Sequence, residues 1–281
     1  SVSVSEVSPQ MITQAEDILN QFSNDPLKDN SLLEQLFALL PRKMKNVADY
    51  LLPADADPEQ IQNVIDRETD LLRMMETQMQ ALPSNDSKEK TLLEEWKLSI
   101  TPVNDEEELR QIKRHMGHSA DCFSKAFRVK NSNRDNAFWN YYDKHNYHNY
   151  WYHGSRNMNC LSILHNGLIL NPKAPKVGHM FGYGIYLAPK AKKSIGYTSL
   201  NGSFWVHGTS DKAYLFVMKT VYKSPYHVYT WTSGMKSLTK SRISPHDAVF
   251  AHAGTSLRND EVVIFDDAQV TLQYIIELKQ Q

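Results

Sequence analysis

Cysteine is nearly missing. The chain of 281 residues holds two, Cys122 and Cys160. Two thiols cannot build a disulfide framework or a four-ligand zinc centre, and they fit a reducing, intracellular setting. No apolar run approaches the length of about 18 residues that a spanning helix needs, so no membrane span is expected, and no signal peptide is read. Net charge is close to absent, with 31 basic against 32 acidic residues, so charge as a whole names no partner. Internal repeats are absent as well. The common nucleotide and hydrolase signatures also fail. Gly182-Tyr183-Gly184 lacks the third glycine of a dinucleotide fingerprint and leads into a strand rather than a helix. There is no Gly-Lys-Ser/Thr phosphate loop, no His-Glu-x-x-His and no nucleophile elbow. His145 and His148 stand three apart without further ligands beside them, too little for a metal site. The first residue is Ser1 rather than Met, which reads as a fragment of a longer protein.

What is present is enough for a core: 41% of residues are hydrophobic, and the length suits one large domain or two ordinary ones. The charge is unevenly spread. Residues 1–100 carry 9 basic and 18 acidic groups, a balance of −9, and residues 101–281 carry 22 and 14, a balance of +8. Two units of different character are expected, the basic one suited to a polyanionic ligand or product.

The first unit reads as helices. Met11, Ile12, Ala15, Ile18, Leu19 and Phe22 recur at helical spacing, and a second apolar run goes from Leu32 to Leu40 and stops at Pro41. Asp57-Pro58-Glu59-Gln60 is a start signal, with Asp57 as cap, Pro58 in the first turn and Gln60 closing a capping box. Ile61, Val64, Ile65, Leu71, Leu72, Met75 and Met79 line the stripe that follows, to about Ala81. The methionines are core filling. Residues 83–91 read as a polar loop. A short strand at 98–100 and an acidic helix start at 104–108 come next, with Leu109, Ile112 and Met116 continuing that helix. Strands dominate beyond residue 121, at 123–129, 149–153, 184–188, 213–220, 226–229, 260–265 and 270–278. The aromatic run 138–152 is read as packing in front of a motif rather than as a stacking platform for single-stranded nucleic acid. The fold class is α+β: an all-α bundle followed by a mixed or antiparallel sheet domain.

Three local patterns carry chemistry. They are Tyr152-His153-Gly154-Ser155-Arg156, then Gly182-Tyr183-Gly184-Ile185-Tyr186-Leu187-Ala188 followed by Lys193-Ser194-Ile195-Gly196-Tyr197, then Asn259-Asp260-Glu261-Val262-Val263-Ile264-Phe265-Asp266. Each is weak alone. In this order and spacing they resemble the catalytic domain of the poly(ADP-ribose) polymerase family, with its His-Tyr-Glu trio in His153, Tyr186 and Glu261. The helices at 11–82 resemble the regulatory domain that precedes catalysis in its DNA-dependent members, and Asp266-Asp267-Ala268-Gln269-Val270 resembles the family's closing strand.

The resemblance implies a regulatory domain at 1–96, an ADP-ribosyltransferase domain at 97–281, and NAD as co-substrate with no metal. It implies that Glu261 holds a ribose hydroxyl and stabilises the oxocarbenium-like state of bond cleavage. His153 would hold another ribose hydroxyl. The backbone of Gly154, free of a side chain, would pair with the nicotinamide amide, Ser194 would add a hydroxyl there, and Ser155 joins the cofactor-binding set. Tyr197 would stack on the ring and Tyr186 would shape the pocket. His179 stands where the best-known members have Tyr, and Ile169 where many have Arg near the adenine ribose. Lys193 and Met180 match positions facing the acceptor. Implied partners are NAD and protein acceptors, the chain itself included, with DNA reached only through domains upstream. The implied location is intracellular, nuclear in a eukaryote and cytoplasmic in a bacterium. Three activities stay open: polymer synthesis, which Glu261 favours; single-unit transfer or NAD hydrolysis; and non-catalytic binding of NAD or ADP-ribose.

Overall fold

The computed structural model describes residues 6–40, 42–80, 92–168, 170, 179–200 and 210–280. The chain divides into two compact units. One comprises Ser1–Pro83 with Leu170–Tyr183 and Trp231–Thr239, the other Ser84–Ile169, Gly184–Thr230 and Lys240–Gln281.

Among its described residues the first unit contains no strand. Helix α1 (Pro9–Leu19) starts where Ser8 accepts the Met11 N–H at 3.2 Å. Helix α2 (Pro26–Leu39) starts at the Asp25-Pro26 pair, with Asp25 accepting from the Leu27 N–H. It therefore begins ahead of the apolar run at Leu32, because its first turn is polar and a cap rather than periodicity fixes its start. Helix α3 (Pro58–Gln80) opens with the expected box: Gln60 N–H donates to Asp57 Oδ1 at 2.8 Å, and Asp57 N–H donates to Gln60 Oε1 at 2.9 Å. Ile61, Ile65, Leu72 and Met75 of α3 bury one stripe against Leu19, Leu33, Leu36 and Leu40. Each such side chain contributes about 1.5–3 kcal/mol on leaving water. Buried Glu68 of the same helix is satisfied by Arg42 at 2.7 Å and Arg67 at 2.9 Å, as a buried carboxylate must be. The loop expected at 83–91 lies outside the described residues.

Later chain joins this unit. Met180 donates its N–H to Gln62 Oε1 at 2.7 Å and accepts from the Trp231 indole N–H at 2.7 Å. His179 Nε2 lies 3.2 Å from Asp66 Oδ1.

The second unit is built on two sheets. The five-stranded sheet runs β1-β2-β9-β5-β3 and is antiparallel throughout, from β1 (Leu98–Pro102), β2 (Phe123–Asn131), β3 (Tyr147–Gly154), β5 (Lys212–Tyr222) and β9 (Val270–Lys279). The four-stranded sheet runs β4-β8-β7-β6, from β4 (Ile185–Leu187), β6 (Pro225–Val228), β7 (Ala248–Ala251) and β8 (Glu261–Ile264). Its β6–β7 pair is parallel and the others antiparallel. The unit is α+β, as the sequence implies.

The short helices α4 (Leu92–Glu95), α5 (Glu106–Met116), α6 (Ser132–Tyr141), α7 (Cys160–Asn166), α8 (Ala191–Ile195) and α9 (Lys240–Ile243) complete it. Helix α5 begins at Asp105, which accepts the Glu108 N–H at 2.8 Å. It is pinned to the sheet by Glu108, which pairs with Arg128 of β2 and accepts the Tyr274 hydroxyl of β9 at 2.6 Å. Arg128 and Tyr274 are themselves cross-strand partners. Of the aromatic run, Phe138 to Tyr141 lie in α6, where Asn131 caps the Asn133 N–H and only Phe138 is buried, and Tyr147 to Tyr152 lie in β3. Helix α6 hides in sequence since its apolar residues do not repeat.

Candidate active site

The sheets meet at one antiparallel pair. Tyr152 and Ala188 exchange both backbone hydrogen bonds at 2.9 Å. Tyr152 is the residue before His153, and Ala188 follows β4. In the β4–β8 register Leu187 pairs with Val262, so the next step sets Ala188 opposite Glu261. From the other side Ala251 of β7 pairs with Glu261. The end of β3 and the start of β8 thus lie on one row of strands, with neighbours about 4.5–5.5 Å apart.

Alternation then decides which side chains share a face. In β4, Ile185 and Leu187 are buried and Tyr186 points the other way, half-buried. Tyr186 pairs with Val263, and Val263 and Glu261 are two apart on β8. Tyr186, Val263 and Glu261 therefore share a face of the four-stranded sheet. Glu261 begins a strand with neighbours on both sides and is buried.

Its charge is answered by Lys193 of α8. The Lys193 ammonium and a Glu261 carboxylate oxygen form an ion pair whose side chains keep 4% and 8% of their exposure. Both ends are buried, so little water screens the attraction between them. Helix α8 is held against β3 as well. A Cβ at Gly154 would stand 1.7 Å from the Ser194 carbonyl oxygen. The protein itself occupies the space a side chain would need, so glycine is required here by the approach of α8, before any ligand is considered. The Ser194 carbonyl accepts the Tyr197 N–H at 3.1 Å. Ser194 is buried and Tyr197 half-buried. Opposite His153 on β5 lies Phe216, with ring centroids 6.5 Å apart.

The loop after Gly154 is fixed by Ser155, which the resemblance placed in the cofactor-binding set, and by Asn157, Asn159 and Ser199, which the sequence reading did not single out. Buried Ser155 accepts a hydrogen bond from Asn159 at 2.7 Å. The Asn157 main-chain N–H donates to the Ser199 hydroxyl oxygen at 2.8 Å, and its side-chain amide donates to the Lys212 carbonyl at 2.9 Å. Small polar residues in a loop carry no signal of such pairing until the loop is folded.

His153, Gly154, Ser155, Tyr186, Lys193, Ser194, Tyr197 and Glu261 are thus all carried by the second unit. His179 and Met180 belong to the first unit, held by Asp66 and Gln62 of α3. Ile169 lies outside the described residues.

An α+β domain that gathers a histidine, a tyrosine and a lysine-paired glutamate at the junction of two sheets defines a recognisable class, and comparison with known proteins identifies it. Residues 106–280 match the family model of the poly(ADP-ribose) polymerase catalytic domain. Among relatives, poly(ADP-ribose) polymerase 1 of Gallus gallus is 30% identical over 178 residues, 54% of this chain and 17% of that protein. The poly(ADP-ribose) polymerase of Drosophila melanogaster is 30% identical over 172 residues, again 54% of this chain and 17% of the relative. Poly(ADP-ribose) polymerase 2 of Arabidopsis thaliana is 26% identical over 215 residues, 64% of this chain and 33% of the relative. The chain belongs to the poly(ADP-ribose) polymerase family. It spans a third or less of the length of these relatives.

Proposed function

We propose that this chain cleaves the nicotinamide–ribose bond of NAD and transfers the ADP-ribose to protein acceptors, itself included, extending it into a polymer. The observation that carries the proposal is the buried Glu261 carboxylate, ion-paired with Lys193, on the face that also bears Tyr186 and in the strand row that ends at Tyr152, the residue before His153.

The chemistry matches these residues. Bond cleavage develops positive charge on the ribose, and a carboxylate beside it stabilises that charge more strongly in a site from which water is excluded. Glu261 takes this role and accepts a hydrogen bond from the ribose hydroxyl. His153 holds the second hydroxyl through a ring nitrogen. Gly154 contributes its main-chain groups to the carboxamide and Ser194 its hydroxyl, while Tyr197 and Tyr186 flank the ring. Holding the amide and the ribose together fixes the scissile bond, which is itself catalytic. Lys193 sets the position of the Glu261 carboxylate and adds positive charge on the acceptor side. His179 supplies a ring in place of tyrosine, and Ser155 holds the loop that carries Gly154. No metal takes part in this reading.

Residues 1–96 are proposed to be regulatory. They hold Met180 through Gln62 and His179 through Asp66 within the first compact unit.

Incubation with labelled NAD and separation on a sequencing gel tests the proposal. A ladder of products is expected. A single protein-bound label would reduce the activity to one-unit transfer, free ADP-ribose would make it a hydrolase, and no consumption of NAD would overturn the enzymatic reading.

A further inference from the structure

The geometry points to a covalent modification site that the NAD reading does not use: methylation of Lys219, whose amino group stands in a cage of three aromatic rings. The Lys219 Nζ lies 4.8 Å from the centre of the Trp139 ring, 5.0 Å from that of Tyr142 and 5.7 Å from that of Tyr150. All three fall within the distance of about 6 Å at which a ring face attracts a cation. Trp139 comes from α6 and Tyr142 from the residue that ends it, while Tyr150 of β3 is the strand partner of Lys219 on β5. The four residues belong to the second unit.

The rings hold one another without help from the lysine. Trp139 and Tyr142 meet edge to face at 5.3 Å and 68°. Both pack on fully buried Phe138, at 5.1 Å and 5.8 Å between centroids. Tyr142 also meets the His148 ring at 5.7 Å, and Tyr150 meets Tyr274 at 6.3 Å. A cage fixed in advance spares its occupant the cost of ordering it. The cage remains open to solvent, since Trp139 keeps 48% of its surface and Lys219 is half-buried.

The surroundings of Lys219 select the modification. Among the described residues no carboxylate forms an ion pair with it, and its pKa is lowered by burial. Each methyl group replaces an N–H, which would cost a lysine held by a carboxylate or carbonyl a hydrogen bond. A ring face needs only the charge. Methylation keeps that charge, whereas acetylation removes it. Aromatic cages are a general means of holding methylated ammonium groups. Here the cage and its occupant lie in one chain.

The methyl donor is a sulfonium compound, brought by a separate methyltransferase. The neutral Lys219 amine attacks the methyl carbon, and the N–C bond forms as the C–S bond breaks with its electron pair going to sulfur. Counted from the ammonium, one proton goes to solvent for each methyl group gained. Burial lowers the pKa of the ammonium and so raises the share of neutral amine at a given pH. The methylated cation is bulkier and gives up less hydration among the rings, so it ties α6 to β3 and β5 more firmly than the unmodified lysine does. The inference is independent of the proposed NAD chemistry.

Two measurements test it. In the first, the full chain is reductively methylated with isotopically labelled formaldehyde and a borane, and the methyl groups are read by NMR, with Lys219→Arg identifying the Lys219 signal. That signal should lie upfield of those from exposed lysines, because ring faces shield it. Trp139→Leu and Tyr142→Leu, each checked for folding by circular dichroism, should move it back towards the others. A Lys219 signal at the position of the exposed lysines, or a Lys219 that stays unmethylated while they react, would overturn the cage as a host for methylated lysine. In the second, the chain is isolated from the cells that naturally make it, and the peptide holding Lys219 is weighed by mass spectrometry. It should carry the added mass of one to three methyl groups. A Lys219 found unmodified there would overturn the site.

Discussion

Glu261 and Lys193 form a unit in which neither residue can be changed without consequence for the other. Each has nearly all of its side chain out of water. Removing one end of a buried pair leaves an uncompensated charge, at a cost of about 3–5 kcal/mol. Lys193→Met is therefore expected to lower the unfolding free energy by about that amount in a denaturant titration. The double variant Lys193→Met/Glu261→Gln should recover much of the loss, because it removes both charges. A double variant as unstable as the single one would show that packing, not charge, holds this position. For activity the two residues separate. Glu261→Gln keeps the shape and loses the charge, so polymer length should fall far more than NAD affinity. Equal losses in product length and NAD binding would mean that the carboxylate has been given the wrong role. Lys193 was legible in the sequence only as a residue near the acceptor side. Its pairing with Glu261 spans 68 positions, and no local pattern could announce it. Gly154 shows the converse. The sequence offered a glycine left bare for a ligand, while the structure uses the same bareness to seat the Ser194 carbonyl.

At the scale of elements, two contacts tie helices to their surroundings and both can be measured. The Glu108 carboxyl of α5 is pushed up by its partial burial. The Tyr274 hydroxyl and the Arg128 guanidinium outweigh this and hold it below its ordinary value of 4.5. A carboxyl whose pKa is lower when folded contributes stability above its unfolded pKa, and that stability is lost as pH falls through the folded value. Glu108→Gln should therefore cost stability at neutral pH, and the gap to the parent should close as pH drops below about 4. A gap that stays constant with pH would assign the effect to lost packing. The capping box of α3 gives the second contact. Asp57→Ala removes the acceptor of the Gln60 N–H and should cost about 0.5–2 kcal/mol by denaturant titration, while Asp57→Ser should restore most of it. This box was legible because a cap is a local signal. So were the strands β3, β5, β8 and β9, whose β-branched and aromatic residues announce them, with differences of a few residues at their ends. Helices α6 and α7 were not legible, since α6 buries only Phe138 and α7, at seven residues, is too short for a stripe to repeat. The parallel β6–β7 pair was not legible either. Parallel pairing is set by a long connection and leaves no turn signature in the sequence.

At the scale of the whole chain, the contrast between an acidic first hundred residues and a basic remainder acquires a physical form in two compact units, one of them without strands among its described residues. The unit built on α1, α2 and α3 also takes in residues 170–183 and 231–239, so a cut in sequence near residue 96 does not separate the two units cleanly. On the proposed regulatory reading, single contacts of the helices set the expected size of the effect. Gln62 holds the Met180 N–H at 2.7 Å, and a hydrogen bond of this kind contributes about 0.5–1.5 kcal/mol net. If that bond belongs to a closed, inactive state in equilibrium with an open one, Gln62→Ala shifts the equilibrium by the same free energy. The activator-free rate of NAD consumption should then rise about 2- to 10-fold. Deleting the helices removes Gln62 and Asp66 together, so a chain beginning near Leu98 should exceed the point variant and need no activator. The two experiments bear on each other. A rise in both supports a latch made of specific contacts. A truncated chain that folds, by circular dichroism, and yet consumes no NAD would show that the helices build the site rather than restrain it, and a Gln62→Ala rate equal to the parent's would then follow from the same cause.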